Sequence, residues 1–478
     1  MLFNSIQFAL FFPIVFIFYW AFSKKYKIQN ILLLVASYYF YGCWDWRFLF
    51  LLIFSTTLDY VSGLLMTNPK STAFRKLWFW LSVVVNLGFL GVFKYYNFFI
   101  DSFAGLLGSF GVQTNFASLQ VILPVGISFY TFHGLSYVID IYNNRIKPEK
   151  NFINYSVFVC FFPLLVAGPI ERATHLLPQI TTQRKFEYSK AVDGLRQILW
   201  GLFKKIVIAD NCATLVNQIF ADYQHQNAST LLIGAVFFAF QIYGDFSGYS
   251  DIALGTARLL GIELLRNFGF PYFSRDIAEF WRRWHISLTT WFRDYVYIPL
   301  GGSRGSKWMS VRNTFIIFLV SGFWHGANWT FIVWGAYHAM LFMPLLLLGR
   351  NRLNTNSVAQ HKILPSITEL IQMSVTFLLV IIGWIFFRAP SLTVAFDYIS
   401  LIFNYSVFDI PTIKITTVSV LILFMLLVEW IQREQKHALN MFENLIKPAC
   451  IRWAIYLVLI VVIIQLGGKS ETFIYFQF

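Results

Sequence analysis

The fold class predicted by this sequence is an all-α membrane protein that crosses the bilayer many times, and three observations predict it. Of 478 residues, 57% are hydrophobic and 13% charged, about half the charged share of a soluble domain. The apolar residues arrive in runs close to the length of about 20 that a helix needs to cross a hydrocarbon core, not in short segments with a polar face. The lysines and arginines behind the net charge of +14 gather in short loops between those runs, where they set orientation and meet anionic lipid headgroups. No basic stretch is interleaved with polar residues on a soluble surface, so the charge does not point to nucleic acid.

In chain order the runs place spans near 6–22, 30–43, 47–66, 77–98, 119–141, 152–170, 195–219, 230–262, 313–323, 329–348, 367–387, 412–430 and 452–467. The first has no basic segment before it and no small-residue cleavage site after it, so it reads as a retained span. Lys24, Lys25 and Lys27 follow the first run, Lys70, Arg75 and Lys76 the third, and Arg145, Lys147 and Lys150 the fifth. Two crossings between each pair put all three clusters on one side; with positive charge inside, the N-terminus faces out. Within the sixth run, FFPLLVAGPIE carries Pro163, Gly168 and Pro169, which break a helix and suggest a re-entrant hairpin sheltered by protein. No internal repeat is visible. The expectation is one membrane domain over 1–478, with helices to about 115, a catalytic core over about 119–348 and C-terminal helices over about 365–478.

Four scattered cysteines, Cys43, Cys160, Cys212 and Cys450, form no pair of the kind that binds zinc or builds a disulfide framework. There is no His-Glu-x-x-His, and GDFSG misses the serine elbow by one position at Ser247. No metal is expected, and a histidine-based transfer is the simplest chemistry left.

The chemistry-bearing region runs over 241–339. QIYGDFSGYSD places Asp245 and Asp251 inside a long apolar run, where a carboxylate is costly unless paired or hydrated. They read as acceptors that fix helix packing, as residues lining a substrate path, or as direct participants in catalysis. Next, Trp281, Trp284, His285 and Trp291 alternate with Arg282, Arg283 and Arg293, and 271–312 holds seven Lys or Arg against three Asp or Glu. An interfacial helix explains the pattern; so does a site for a phosphorylated substrate, because guanidinium groups bind phosphate bidentately. LGGSRGSK lacks the spacing of a phosphate-binding loop and reads as a turn. In SGFWHGANW, His325 stands in an otherwise apolar run with Ser321, Trp324 and Asn328. It is either a structural histidine bonded to a carbonyl or a neutral imidazole able to accept a proton. Gly322 and Gly326 would let backbone or substrate approach it. His133 and His338 also lie in apolar runs and read as structural.

With these segments in hand, the sequence resembles the membrane-bound O-acyltransferase family, in its bacterial alginate O-acetylation branch. The resemblance runs from MLFNSIQFALFFPIVFIFYW through LPVGISFYTFHGLSYVIDIY, AGPIER, QIYGDFSGYSDIALG, FWRRWHISLTTWFRDYVYIPLGG and SGFWHGANWTFIVWGAYH to the terminal FIYFQF. It implies a ring of about 11–13 tilted transmembrane and re-entrant helices around a central funnel, in the bacterial inner membrane. It further implies that His325 is catalytic, with His285 its partner along the tunnel, either orienting the donor or hydrogen-bonding its carbonyl. Acetyl-CoA is the implied donor substrate, reaching the site from the cytoplasm, with no bound cofactor. Trp324, Asn328, Ser321, Arg282, Arg283, Asp245 and Asp251 are the residues expected along the substrate and donor path. An extracytoplasmic partner of serine-hydrolase-like fold is implied to pass the acetyl group to a polysaccharide acceptor. D-alanyl transfer toward teichoic acid and a flippase of lipid-linked glycan remain as alternatives, the latter without the repeated halves common among transporters.

Overall fold

The computed structural model describes residues 1–67, 71–112, 118–119, 122–440 and 446–474. The readings made at Lys70, at 120–121 of the fifth expected span and at the last four residues of FIYFQF lie outside them. Every regular element among the described residues is helical. The chain folds as two compact units, Met1–Glu187 with Ala257–Leu264, and Tyr188–Thr256 with Leu265–Phe478.

The first unit holds α1 (Ile6–Ala21), α2 (Tyr26–Asp45), α3 (Arg47–Thr67), α4 (Thr72–Leu90), α5 (Tyr96–Ser109), α6 (Ile127–Tyr142), α7 (Phe152–Cys160), α8 (Phe162–Leu165) and α9 (Ala173–Ile180). The second holds α10 (Tyr188–Leu202), α11 (Asp210–Ala221), most of α12 (Ala228–Leu259), α13 (Ile277–Arg283) and α14 (Ile286–Phe292). It continues with α15 (Lys307–His325), α16 (Trp329–Leu347), α17 (Ile367–Arg388), α18 (Leu392–Ile402), α19 (Thr416–Ile431) and α20 (Ala449–Gln465). Among the described residues, five helical segments are long and apolar enough to cross a membrane: α3, the continuous Thr72–Ser109, α12, α16 and α17. Shorter apolar helices include α1, α19 and α20. The protein is an all-helical, multi-pass membrane protein.

Where the elements depart from the expected spans, a residue explains it. The run at 152–170 ends its helix at Cys160, ahead of Pro163; after four-residue α8, 166–172 is non-helical and buried. Gly126 lies against the Leu165 carbonyl, where no side chain fits, with φ +74°, a conformation that residues with side chains rarely adopt. The run at 195–219 divides into α10, a π-helical stretch over Phe203–Ala209 and α11. Wide turns of this kind cluster at functional or strained places, and this one carries Lys204 and Lys205. The stretch at 271–312 is not one interfacial helix. Asp276 caps α13 by accepting from the Glu279 N–H, and the chain then turns at His285 before α14.

In the second unit, α15 and α16 cross with backbones in contact. A Cβ on Gly322 would meet the Phe331 carbonyl, and one on Gly335 the Phe318 carbonyl. Small residues permit such an approach in membrane helices. The pairing, with positions rising on α15 as they fall on α16, makes the two antiparallel.

Candidate active site

His325 closes α15 and is buried at 3% exposure. Rings surround it edge-on: Trp324 with centroid at 4.9 Å, Trp334 at 5.1 Å and Phe387 at 5.3 Å. Trp324 also meets His285 at 6.0 Å, so one indole touches both histidines. The glycines beside His325 serve packing: Gly322 touches Phe331 and Gly335, and a Cβ on Gly326 would strike the Phe331 ring. Of the two approaches expected there, by backbone or by substrate, Gly322 takes the first, against the α16 backbone, and the space at Gly326 is filled by the Phe331 ring.

His285 stands at the break between α13 and α14 with φ +42° and ψ 55°. A non-glycine residue in the left-handed region costs about 1–3 kcal/mol and persists only where its surroundings over-determine it. Here Asn267 does so. Its main-chain carbonyl accepts the Ile286 N–H at 2.9 Å, and its Oδ1 accepts the Ser287 hydroxyl at 2.6 Å and faces His285 Nδ1 at 3.3 Å. Phe246 packs on the imidazole at 4.6 Å. His285 lies outside the membrane-length helices, and burial lowers its pKa to about 3, which keeps the ring neutral.

Both histidines line one cavity of about 640 Å³ within the second unit. On α15 the lining is Thr314, Ile317, Phe318, Ser321 and His325, one helical face. Thr314 to His325 spans about 16 Å at the rise of a helix. The antiparallel α16 brings Phe342 and Leu346, and the following Asn351 and Arg352, alongside the start of α15. Arg282 and Arg293 complete the charged lining, and no carboxylate is among the described lining residues.

The other expected path residues divide. Ser321 lines the cavity. Asn328 caps α16 through the Thr330 N–H and donates to the Pro390 carbonyl at 3.0 Å, away from the lining. Arg282 reaches the lining but donates to the Asn351 and Asn354 carbonyls at 2.7 and 2.8 Å, latching that loop. Arg283 pairs with Glu279 at 2.8 Å and donates to the Gly269 carbonyl. Asp245 accepts from Lys205 at 2.8 Å and from the Ile474 N–H at 2.6 Å; Asp251 pairs with Lys204 at 2.6 Å and accepts from Gln197. Neither lines the cavity. Sequence reading missed three residues here: Lys204 and Lys205, visible as two lysines in an apolar run, and Asn267, which carries no such signal. His133 accepts the Glu171 N–H through Nε2 at 3.1 Å, and His338 packs edge-on against Trp281 and Trp334 at 5.0 and 5.1 Å. Among the described residues, no three His, Cys, Asp or Glu converge as a metal site.

Residues 145–383 match the membrane-bound O-acyltransferase family. The chain is 40% identical over 416 residues to the probable alginate O-acetylase AlgI of Pseudomonas aeruginosa, covering 87% of this chain and 77% of that protein. It is 34% identical over 427 residues to the peptidoglycan O-acetyltransferase of Helicobacter pylori, covering 82% of this chain and 78% of that one. Similarity to the teichoic acid D-alanyltransferase of Bacillus subtilis is 30% over 231 residues, 46% of this chain and 58% of the relative. An all-helical multi-pass fold, a histidine-bearing cavity and similarity along most of the chain place this protein in the membrane-bound O-acyltransferase family, as an acyltransferase.

Proposed function

We propose that this protein is an O-acetyltransferase of the bacterial inner membrane that takes acetyl from a cytoplasmic thioester, acetyl-CoA, for O-acetylation of an extracytoplasmic polysaccharide. The observation that carries the reading is that His325 and His285, both buried, line one cavity that also holds three arginines and no carboxylate among its described lining residues. A neutral imidazole in such a cavity accepts a proton, and guanidinium groups suit the phosphates of the donor. Its length along α15, about 16 Å, takes roughly five residues' worth of extended chain, room for a thioester-bearing arm.

In the proposed reaction, His325 accepts the proton of a hydroxyl as the hydroxyl oxygen attacks the thioester carbonyl. The carbon–sulfur bond breaks, the ester forms, and the proton passes to the departing thiolate, so acetyl-CoA and alcohol become acetyl ester and CoA. Arg352 receives the donor's phosphates; Arg293, paired with Asp294 at 2.8 Å, and Arg282, engaged with loop carbonyls, shape the rim. The hydroxyl belongs to the polysaccharide or to an extracytoplasmic partner of serine-hydrolase-like fold that passes the group on. Acetyl rather than D-alanyl transfer is supported by the extent of similarity, which covers over four-fifths of this chain for the acetylases against 46% for the D-alanyltransferase.

The test is His325→Ala, assayed by transfer of labelled acetyl from CoA in reconstituted membranes and by ester-linked acetate on the glycan of the producing cells. We expect a fall of about 10²- to 10⁴-fold, the range for loss of a general base, with the thermal transition unchanged. Transfer at the parent rate overturns the assignment.

A further inference from the structure

We infer that Asn267, which does not line the cavity, is the positioning residue for His285. It holds the ring as its Nδ1–H tautomer and leaves Nε2 able to accept a hydrogen bond but not to donate one. The inference rests on the proposed reaction and settles a choice that reading leaves open, whether His285 hydrogen-bonds the donor's carbonyl.

The argument begins with which end of the Asn267 amide is oxygen. The atom facing Ser287 Oγ lies 2.6 Å away, and the atom facing Ser250 Oγ lies 3.1 Å away. The shorter separation falls in the O–H···O range and below the usual N–H···O range, while the longer suits an N–H donor. Oδ1 therefore faces Ser287, and the same Oδ1 faces His285 Nδ1 at 3.3 Å. An amide oxygen only accepts, so Nδ1 carries the hydrogen. In a neutral imidazole the other nitrogen then holds the lone pair. Asn267 is buried at 1% exposure, and its main-chain carbonyl fixes the left-handed turn through the Ile286 N–H, so ring and backbone are held by one residue.

The consequence is chemical. A neutral His285 of this tautomer has no proton to offer the oxygen of a thioester carbonyl. Its Nε2 instead accepts a hydrogen bond from a donor other than the attacking hydroxyl, whose single proton goes to His325, such as an amide N–H of the thioester's arm. The charged or titratable groups sharing its cavity are Arg282, Arg293, Tyr297, Arg352 and His325, with no carboxylate among the described lining residues to reverse the tautomer.

Two measurements test this. The first needs no turnover: nitrogen NMR of full-length protein labelled with ¹⁵N-histidine in lipid, with the His285 signals identified by subtracting His285→Asn, a residue that tolerates the left-handed conformation. We expect a protonated Nδ1 and a bare Nε2 in the parent, and mixed tautomers in Asn267→Ala; a protonated Nε2 in the parent overturns the inference. The second is the pH–rate profile of transfer. Asn267→Ala should lower kcat about tenfold or more with KM within twofold. Asn267→Asp should recover much of kcat and move the acid limb to higher pH, because a carboxylate at Nδ1 stabilises the imidazolium. Ser287→Ala, which leaves Oδ1 to His285 alone, should keep the parent tautomer. If Asn267→Asp behaves like Asn267→Ala, or Asn267→Ala leaves spectrum and profile unchanged, the residue does not position His285. A parent showing the expected tautomer but no transfer from any acyl thioester would overturn the proposed function and leave this inference standing.

Discussion

Replacing Lys205 by methionine tests whether the carboxylates of α12 hold the fold or line a path. The ammonium lies 2.8 Å from both Asp210 and Asp245 and 3.2 Å from the Glu471 carbonyl, and Lys205 is 5% exposed, Asp210 1% and Asp245 3%. Methionine keeps most of the side chain's volume and removes the charge, so the change leaves two buried carboxylates without their cation. Breaking a buried pair by removing one partner costs about 3–5 kcal/mol. One kcal/mol moves the midpoint by about 2–4 °C in a domain of about 150–250 residues and by less in a larger one such as the second unit, so the thermal transition should fall by roughly 5–15 °C. The assay is thermal unfolding of full-length protein in detergent, followed by tryptophan fluorescence and by retention on size exclusion. Adding Asp210→Asn and Asp245→Asn to the lysine variant should restore a large part of the loss, because interactions within one network are not additive. A shift under about 2 °C together with a loss of transfer would refute the reasoning and return Asp245 to the substrate path.

Two other perturbations follow from the cavity and from the first unit. Arg352→Gln should raise the KM for acetyl-CoA about tenfold with kcat within twofold, as expected for loss of one charge-assisted phosphate contact made in ground and transition states alike. Steady-state kinetics with acetyl-CoA and with the phosphate-free thioester S-acetylpantetheine check it; an equal effect on both donors counts against phosphate binding. In the first unit, His175 Nδ1 lies 2.8 Å from Glu171, and that carboxylate raises the histidine's pKa above 6.5. The folded-state pKa is the higher, so the stabilisation is complete below 6.5 and fades as pH rises through the folded value. Half-exposed geometry keeps the effect small. Unfolding midpoints measured from pH 6 to 8 should decline on this account, and Glu171→Gln should flatten the decline.

Legibility from sequence differed by residue. His325 and His285 stood out because a polar ring in an apolar run is costly and therefore conspicuous, and both line the cavity. Asp245 and Asp251 stood out for the same reason, yet both are paired with lysines on the π-helical stretch. Cost marks a buried polar group without telling pairing from chemistry. Arg282 and Arg283 looked alike in composition; one latches the loop at 351–354 and the other pairs with Glu279 one turn away. Asn267 was invisible, since an asparagine in the segment between two helices is unremarkable until its amide is placed beside an imidazole.

By itself the sequence determined the solvent, the all-helical class, the approximate positions of most apolar helices and the two histidines worth watching, because hydrophobic runs and isolated polar groups are local properties of the chain. Tertiary structure alone decided where a helix widens at Lys204 and Lys205, which arginines are already engaged, and which nitrogen of His285 carries its hydrogen. Those outcomes depend on partners distant in the chain: Asp245 meets Ile474, and His285 meets Asn267. Such contacts are chosen by packing and hydrogen-bond satisfaction in three dimensions, and no local pattern records them.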